Sequence, residues 1–157
     1  VHTLIRVVGD YFFLISVVLV ALYWLRAGRK VKISLAWQLV AGGALALALD
    51  EWAGHLYYDP RPFVTHHLVP IIPHAADNGF PSDHALLTAF LALTMFLYSR
   101  RLAVVLAVNA LLVSWARVAA HIHNPRDIIG GFVIAAVAVA ISYAVARLGR
   151  RWRVAAT

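Results

Sequence analysis

Residues 102–127 read LAVVLAVNALLVSWARVAAHIHNPRD. The apolar part, Leu102–His121, is long enough at ~1.5 Å per residue to cross a hydrocarbon core ~30 Å thick, which predicts a membrane-spanning helix. Its last turns and exit carry Arg117, His123 and Asp127, with Asn124-Pro125 expected to end the helix between the arginine and the aspartate. Working outward from this segment, four further apolar runs of spanning length are found at Leu4–Leu25, Ile33–Trp52, Ser82–Tyr98 and Asp127–Ala146. The expected fold is therefore all-α: a polytopic bundle of five transmembrane helices forming a single domain over residues 1–157. Its one long connection is Ala53–Pro81, of a length that is usually functional or carries a short interfacial helix.

Composition agrees. The chain is 62% apolar and 13% charged, whereas a water-soluble domain is typically ~45–50% apolar and ~25% charged. The absence of cysteine excludes a disulfide-stapled secreted fold and thiolate metal sites. The net charge of +7 does not indicate nucleic acid, because the basic residues cluster at the ends of apolar runs. The first run is too long for a signal peptide and has no basic flank before it, and a start at Val1 rather than Met suggests trimming. The run Ser82–Tyr98 is the shortest, so its first turn is expected at the membrane face or slightly below it.

The charges predict the orientation. Arg26, Arg29, Lys30 and Lys32 fill the first connection, Arg100 and Arg101 the third, and Arg147, Arg150, Arg151 and Arg153 follow the last span. The positive-inside rule makes that side cytoplasmic. Val1, the Ala53–Pro81 loop and the His121–Arg126 turn then lie outside, with only Arg6, Arg61, Arg117 and Arg126 as cations there. All seven acids and all eight histidines fall towards the same outer half. Such a titratable cluster at one interface marks a functional site.

Three motifs share that face. In Arg117-x5-His123-x3-Asp127, Asn124 suits an N-cap, Pro125 the first helical position and Asp127 the third. The Asp127 carboxylate can then reach back to His123 and hold one tautomer, leaving the other ring nitrogen as nucleophile or base. Phe80-Pro81-Ser82-Asp83-His84 opens a helix whose N-terminal N–H groups and Ser82 form an anion cradle, with His84 placed to donate a proton. Asp59-Pro60-Arg61-Pro62-Phe63 presents Arg61 on a backbone stiffened by two prolines. By chance this composition yields Arg-Pro about 0.5 times but Pro-Ser-x-His about 0.01 times and Arg-x5-His-x3-Asp about 0.03 times, so the latter two discriminate. Two arginines, a helix N-terminus, two histidines and an aspartate are the set that phosphoryl transfer needs. The outer acids are too scattered for a two-metal centre; His66-His67, or His121 with His123 and Asp127, are the weaker metal-ligand pairings.

These motifs, in this order, resemble the type 2 phosphatidic acid phosphatase (PAP2) superfamily, with signatures Lys-x6-Arg-Pro, Pro-Ser-Gly-His and Ser-Arg-x5-His-x3-Asp. The stretches Tyr57–Val64, Ile72–Asp77 and Phe80–His84 are similar to the bacitracin-resistance type of undecaprenyl-diphosphate phosphatase, and the likeness covers about residues 55–131. The resemblance implies catalytic roles for His123 as nucleophile forming a phosphohistidine, Asp127 as its orienting acid and His84 as proton donor to the leaving group. It implies substrate binding by Arg61, Ser82 and Arg117, with no metal and no cofactor. Three positions depart from the pattern. Gly54 stands where the first signature has Lys, and Arg6, Arg126 or the histidines at 66, 67 and 74 are candidates to replace that cation, Arg126 preferred. Asp83 stands for Gly, as in the undecaprenyl subgroup, and must point away or pair with an arginine; Ala116 stands for Ser. The family also carries a further N-terminal segment. Gly130-Gly131 is read as a helix-packing element.

The expected activity is that of an integral membrane lipid phosphatase in the bacterial cytoplasmic membrane, hydrolysing undecaprenyl diphosphate to undecaprenyl phosphate and inorganic phosphate on the extracytoplasmic face, as in lipid-carrier recycling for peptidoglycan synthesis. Its partners are the lipid substrate and membrane lipid, not nucleic acid. The alternative in the same class is a phosphatase for phosphatidic acid, phosphatidylglycerophosphate or another lipid phosphate. From another class, a non-enzymatic lipid-phosphate transporter or binding protein competes, but a transporter places polar residues at mid-membrane. Here the helix middles are apolar, Asn109 excepted.

Overall fold

The structure is a computed structural model that describes the backbone of residues 1–155 and the side chains of residues 1–149. All of its extended elements are helices: α1 (His2–Arg26), α2 (Arg29–Trp37), a π turn at Gln38–Gly42, α3 (Gly43–Leu56), α4 (Pro62–Thr65), α5 (Asp83–Phe96), α6 (Arg100–Ala119) and α7 (Pro125–Ala155). Helix α2, the π turn and α3 run on as one rod, Arg29–Leu56. Among the described residues, four helical stretches are long and apolar enough to cross a membrane: His2–Arg26, Arg29–Leu56, Arg100–Ala119 and Pro125–Gly149. The expected third span, α5, has 14 residues, about 21 Å of helix and short of a ~30 Å core.

Helix α5 is the centre of the bundle. Ala85, Leu86, Ala89, Phe90, Leu91, Ala92 and Met95 are buried against α6, α7 and α1. Around it the outer helices turn large apolar side chains outward, among them Val104, Val105, Val108, Leu111, Leu112 and Trp115 of α6. An apolar exterior of this extent is a lipid-facing one.

Polar clamps join the helices where the exterior is apolar. Asn109 Nδ2 of α6 donates to Phe12 O and Ser16 Oγ of α1 at 2.9 and 2.8 Å. Gln38 Nε2 in the π turn donates to Val139 O and Ser142 Oγ of α7 at 3.1 and 2.6 Å. Interhelical bonds of this kind contribute about 0.6 kcal/mol each. Asn109, the polar exception in the sequence, is thus a packing residue. Gly130 and Gly131 let α7 close on the start of α5: a Cβ on Gly130 would enter the Phe80 ring, and one on Gly131 would come within 2.9 Å of Leu86 N and Ser82 O.

The connections gather at two ends. At one, Tyr23 Oη donates to Tyr98 O, and Ser34 Oγ bonds Tyr98 Oη, tying the 26–29 turn to the 97–99 turn. At the other, Phe63 N donates to His121 O and Ile71 N to Ala120 O, folding the long loop over the α6–α7 turn. The side chains of Arg150, Arg151 and Arg153, counted above among the cytoplasmic cations, lie outside the described residues.

Two boundaries differ from the sequence reading. Helix α3 runs four residues into the expected loop, to Leu56. Helix α6 ends at Ala119, before Asn124-Pro125: His121 N donates to Val118 O and Ile122 N to Arg117 O, with His121 left-handed at φ 63°. This is a Schellman cap, a geometry that favours glycine and is occupied here by histidine.

Candidate active site

The loop-bearing end encloses a cavity of about 390 Å³. One wall is cationic or imidazole: Arg61, His74, Arg117 and His123. The lining also includes the acids Asp50, Glu51, Asp77 and Asp83. Thus a loop arginine meets the last turn of α6 and the α6–α7 turn, more than fifty residues further along the sequence, around one space.

His123 is the most confined of these groups, 3% exposed. Its Nδ1 lies 2.9 Å from Gly79 O. A carbonyl can only accept, so Nδ1 carries the hydrogen. Burial first, then the charges of Arg117 and Arg61, push its pKa down to about 3, so near neutral pH the ring holds a single N–H and Nε2 keeps its lone pair. Arg61 Nη1 stands 3.4 Å from that Nε2. A neutral imidazole with an unprotonated nitrogen beside a guanidinium has the chemistry of a nucleophile or base next to a place where an anion could be held.

The sequence assigned the ring-holding role to Asp127, and the geometry divides it. Asp127 Oδ2 accepts the Asn124 backbone N–H at 2.7 Å and lies 3.4 Å from His123 Nδ1, longer than the bond to Gly79. Asp127 is therefore first the N-terminal cap of α7, as its position two residues after Pro125 dictates, and second an acid beside the ring. Its Oδ1 is buried without a partner.

Arg61 is held on all sides. Its Nε donates to Asp77 Oδ1 at 2.7 Å, Nη1 to Ile122 O at 2.8 Å and Nη2 to Asn78 O at 3.1 Å. Burial works to raise the Asp77 pKa, but the hydrogen bond and charge of Arg61 outweigh it and hold this carboxyl below the usual range. Arg117 reaches across to α1, its Nη1 3.5 Å from Asp10 Oδ1, while its Nε is buried with no partner. A buried donor left unpaired costs free energy unless a ligand completes it.

Ser82 and His84 lie beside, rather than among, the residues that line the cavity. Ser82 is the N-cap residue of α5 but makes no side-chain cap bond; it is fully buried and its Oγ is unpartnered. His84 packs its ring edge-on to Phe13, centroids 5.1 Å apart, and has Arg117, His123 and His74 as electrostatic neighbours. Asp83 neither turns away nor pairs with an arginine: it is exposed and lines the cavity beside Asp50.

Arg126, the preferred replacement for the missing lysine, is engaged elsewhere. Its guanidinium binds the buried carboxylate of Asp59 through Nε and, at 2.6 Å, through Nη2. Asp59 also accepts from Asn124 Nδ2 at 3.1 Å, so the pair locks the first signature to the start of α7. Arg6 likewise spends its guanidinium on Ile71 O. Of the cations considered, His74 is the one on the cavity wall.

Sequence reasoning missed Gly79, Asn78 and Asp10. Asn78 Oδ1 accepts from Asp59 N and Phe80 N, and its Nδ2 donates to Gly54 O and Tyr57 O. A Cβ on Gly79 would stand 3.1 Å from Asp59 O and 3.2 Å from Asp127 Oδ2. The available signal was the Asn-Gly pair itself, a turn former just before the second motif. Among the described residues no group of three or more His, Asp or Glu is placed to hold a metal ion.

The chain resembles several known proteins. It is 34% identical over 95 residues to undecaprenyl-diphosphatase BcrC of Bacillus subtilis strain 168, covering 60% of this chain and 49% of that one. It is 39% identical over 104 residues to the putative undecaprenyl-diphosphatase YbjG of Escherichia coli K12, covering 61% and 51%. The chain spans about half the length of the curated relatives it matches. In fold it superposes on LpxE of Aquifex aeolicus with a TM-score of 0.69 at 20% identity, over 90% of this chain and 93% of that one. The PAP2 superfamily model matches residues 35–151, well over half of the chain and all three motifs, and the chain accordingly belongs to the PAP2 superfamily.

Proposed function

We propose that this chain is a membrane lipid phosphatase that hydrolyses undecaprenyl diphosphate to undecaprenyl phosphate and inorganic phosphate, with α5 as the third of five spans and the cavity opening on the extracytoplasmic face of the bacterial cytoplasmic membrane. The observation that carries this reading is the convergence of Arg61, Arg117 and the unprotonated Nε2 of His123 on one cavity. The names of the matched relatives support the substrate, and the positive-inside bias supports the sidedness.

In the proposed reaction the terminal phosphoryl group enters between Arg61 and Arg117, and the orphan Nε of Arg117 gains its partner. His123 Nε2 attacks phosphorus in line. The bond to the bridging oxygen breaks, and that oxygen leaves on the lipid phosphate with a proton from His84. The positive charge on the imidazole is stabilised through Nδ1–H by Gly79 O and by Asp127 behind it. A water, deprotonated by His84, then attacks the phosphohistidine, and inorganic phosphate departs. Each step is displacement at phosphorus with electrostatic clamping, and catalysis resides in positioning.

The test is phosphate release by the full chain in lipid vesicles from a polyprenyl diphosphate and from phosphatidate. Faster release from the diphosphate is expected; equal rates overturn the substrate assignment. His123→Ala is expected to abolish turnover of every substrate while the lipid still binds, and retained turnover removes the nucleophile.

A further inference from the structure

We infer that His74 is a further ligand of the bound phosphoryl group, supplying from the loop between α4 and α5 the cation that Gly54 on α3 cannot. The inference rests on the cavity being a phosphate site, as proposed above.

His74 shares the cavity wall with Arg61, Arg117 and His123. Its ring centroid is 6.5 Å from that of His123, the planes inclined by 73°. A phosphoryl group is small enough to sit between two rings at such a separation, its phosphorus facing His123 Nε2 and one of its oxygens within a hydrogen bond of about 2.8 Å from the His74 ring. The orientation of His74 is fixed from behind. Its Nδ1 lies 3.3 Å from Ala75 O and 3.8 Å from Asp77 Oδ1. The carbonyl accepts, which places a hydrogen on Nδ1 and makes Nε2 the nitrogen free to take a proton; Nε2 has no hydrogen-bond partner among the described residues. Asp77 binds Arg61 Nε and stands near His74 as well, so one carboxylate lies beside both residues.

Facing His74 are Arg61 and Asp77 from its own loop, His123, Arg117 of α6, and His84 of α5. The other acids and histidine lining the cavity are Asp50, Glu51 and His55 of α3 and Asp83 of α5. Burial, then the charge of Arg61, hold the His74 pKa below its ordinary value, so the ring is neutral in the cavity at pH 7. An arriving phosphate brings the opposite charge and raises that pKa. His74 then takes a proton from solvent onto Nε2 and donates it as a hydrogen bond to a phosphoryl oxygen. Anion binding is thereby coupled to proton uptake, unlike binding by a lysine, which carries its charge beforehand.

The experiment is calorimetric titration of the detergent-solubilised full chain with inorganic phosphate at pH 6 and pH 8, for the wild type, His74→Gln and His74→Arg, with phosphate release from polyprenyl diphosphate measured on the same samples. His74→Gln is expected to weaken phosphate binding about tenfold at pH 6, and by less at pH 8. Wild-type binding in buffers of different ionisation enthalpy is expected to take up more protons than the Gln variant does. His74→Arg is expected to restore affinity at both pH values. Unchanged affinity in the Gln variant, or equal weakening in the Gln and Arg variants, overturns the inference. A wild type that binds phosphate through His74 but fails to cleave the lipid diphosphate refutes the proposed activity and leaves the inference standing.

Discussion

His123 shows how far single residues are fixed by their neighbours. Its type and spacing were legible: a histidine six positions after Arg117 and four before Asp127 is rare by chance. The partner of its Nδ1 was not, because Gly79 O is a backbone group forty-four residues away and leaves no mark in composition. Burying this ring neutral has a consequence for stability. The unfolded chain binds a proton at an ordinary pKa of 6.5, the folded one only at about 3, so the penalty is absent above 6.5, grows as pH falls and is complete near 3. At pH 4.5 it amounts to about 2–3 kcal/mol. Thermal unfolding is expected to show the wild type losing more stability between pH 7.5 and 4.5 than His123→Gln does; parallel losses would place the ring's proton elsewhere. For His84, substitution by Ala is expected to slow substrates with poor leaving groups most, because those depend on the donated proton. A rate loss independent of leaving-group pKa contradicts the acid role.

At the scale of elements, the site is a junction of three short segments, 57–64, 77–84 and 117–127, and their fasteners are Asp59, Asn78 and Gly79. Periodicity and hydropathy revealed the helices well, since lipid-facing apolar runs carry strong signals. The fasteners were hidden because they act through loops, where the sequence holds only turn residues. The preference for Arg126 as the lost cation failed for the same reason. A charge count sees an outer arginine, while the structure shows that arginine spent on buried Asp59. Gly79 gives the sharpest test of the junction. A methyl group there must displace Asp59 O, Asp127 Oδ2 or the Arg61 stem, all within 3.4 Å. Gly79→Ala is expected to destabilise the chain by about 1–3 kcal/mol and to lower turnover more than tenfold; wild-type turnover would mean the junction is slack.

For the whole molecule, alternation of helices was legible and the exact boundaries were not: the α6 cap depends on a left-handed His121, which no helix rule places. The proposed sidedness has a direct test, because the chain has no cysteine of its own. Single cysteines at Val69→Cys, in the long loop, and Ser99→Cys, in the basic turn, are expected to react and to resist, respectively, when intact cells meet a membrane-impermeant thiol reagent; the reverse pattern inverts the topology. The brevity of α5 bears on the surrounding lipid. A central rod of about 21 Å set among longer neighbours invites the leaflet to dimple over it, by fractions of a kcal/mol per Å of mismatch. Headgroups in such a dimple descend towards the proposed catalytic histidines instead of being hauled up to them. Vesicles of shorter acyl chains should therefore speed the proposed turnover, making bilayer thickness itself a rheostat for the reaction.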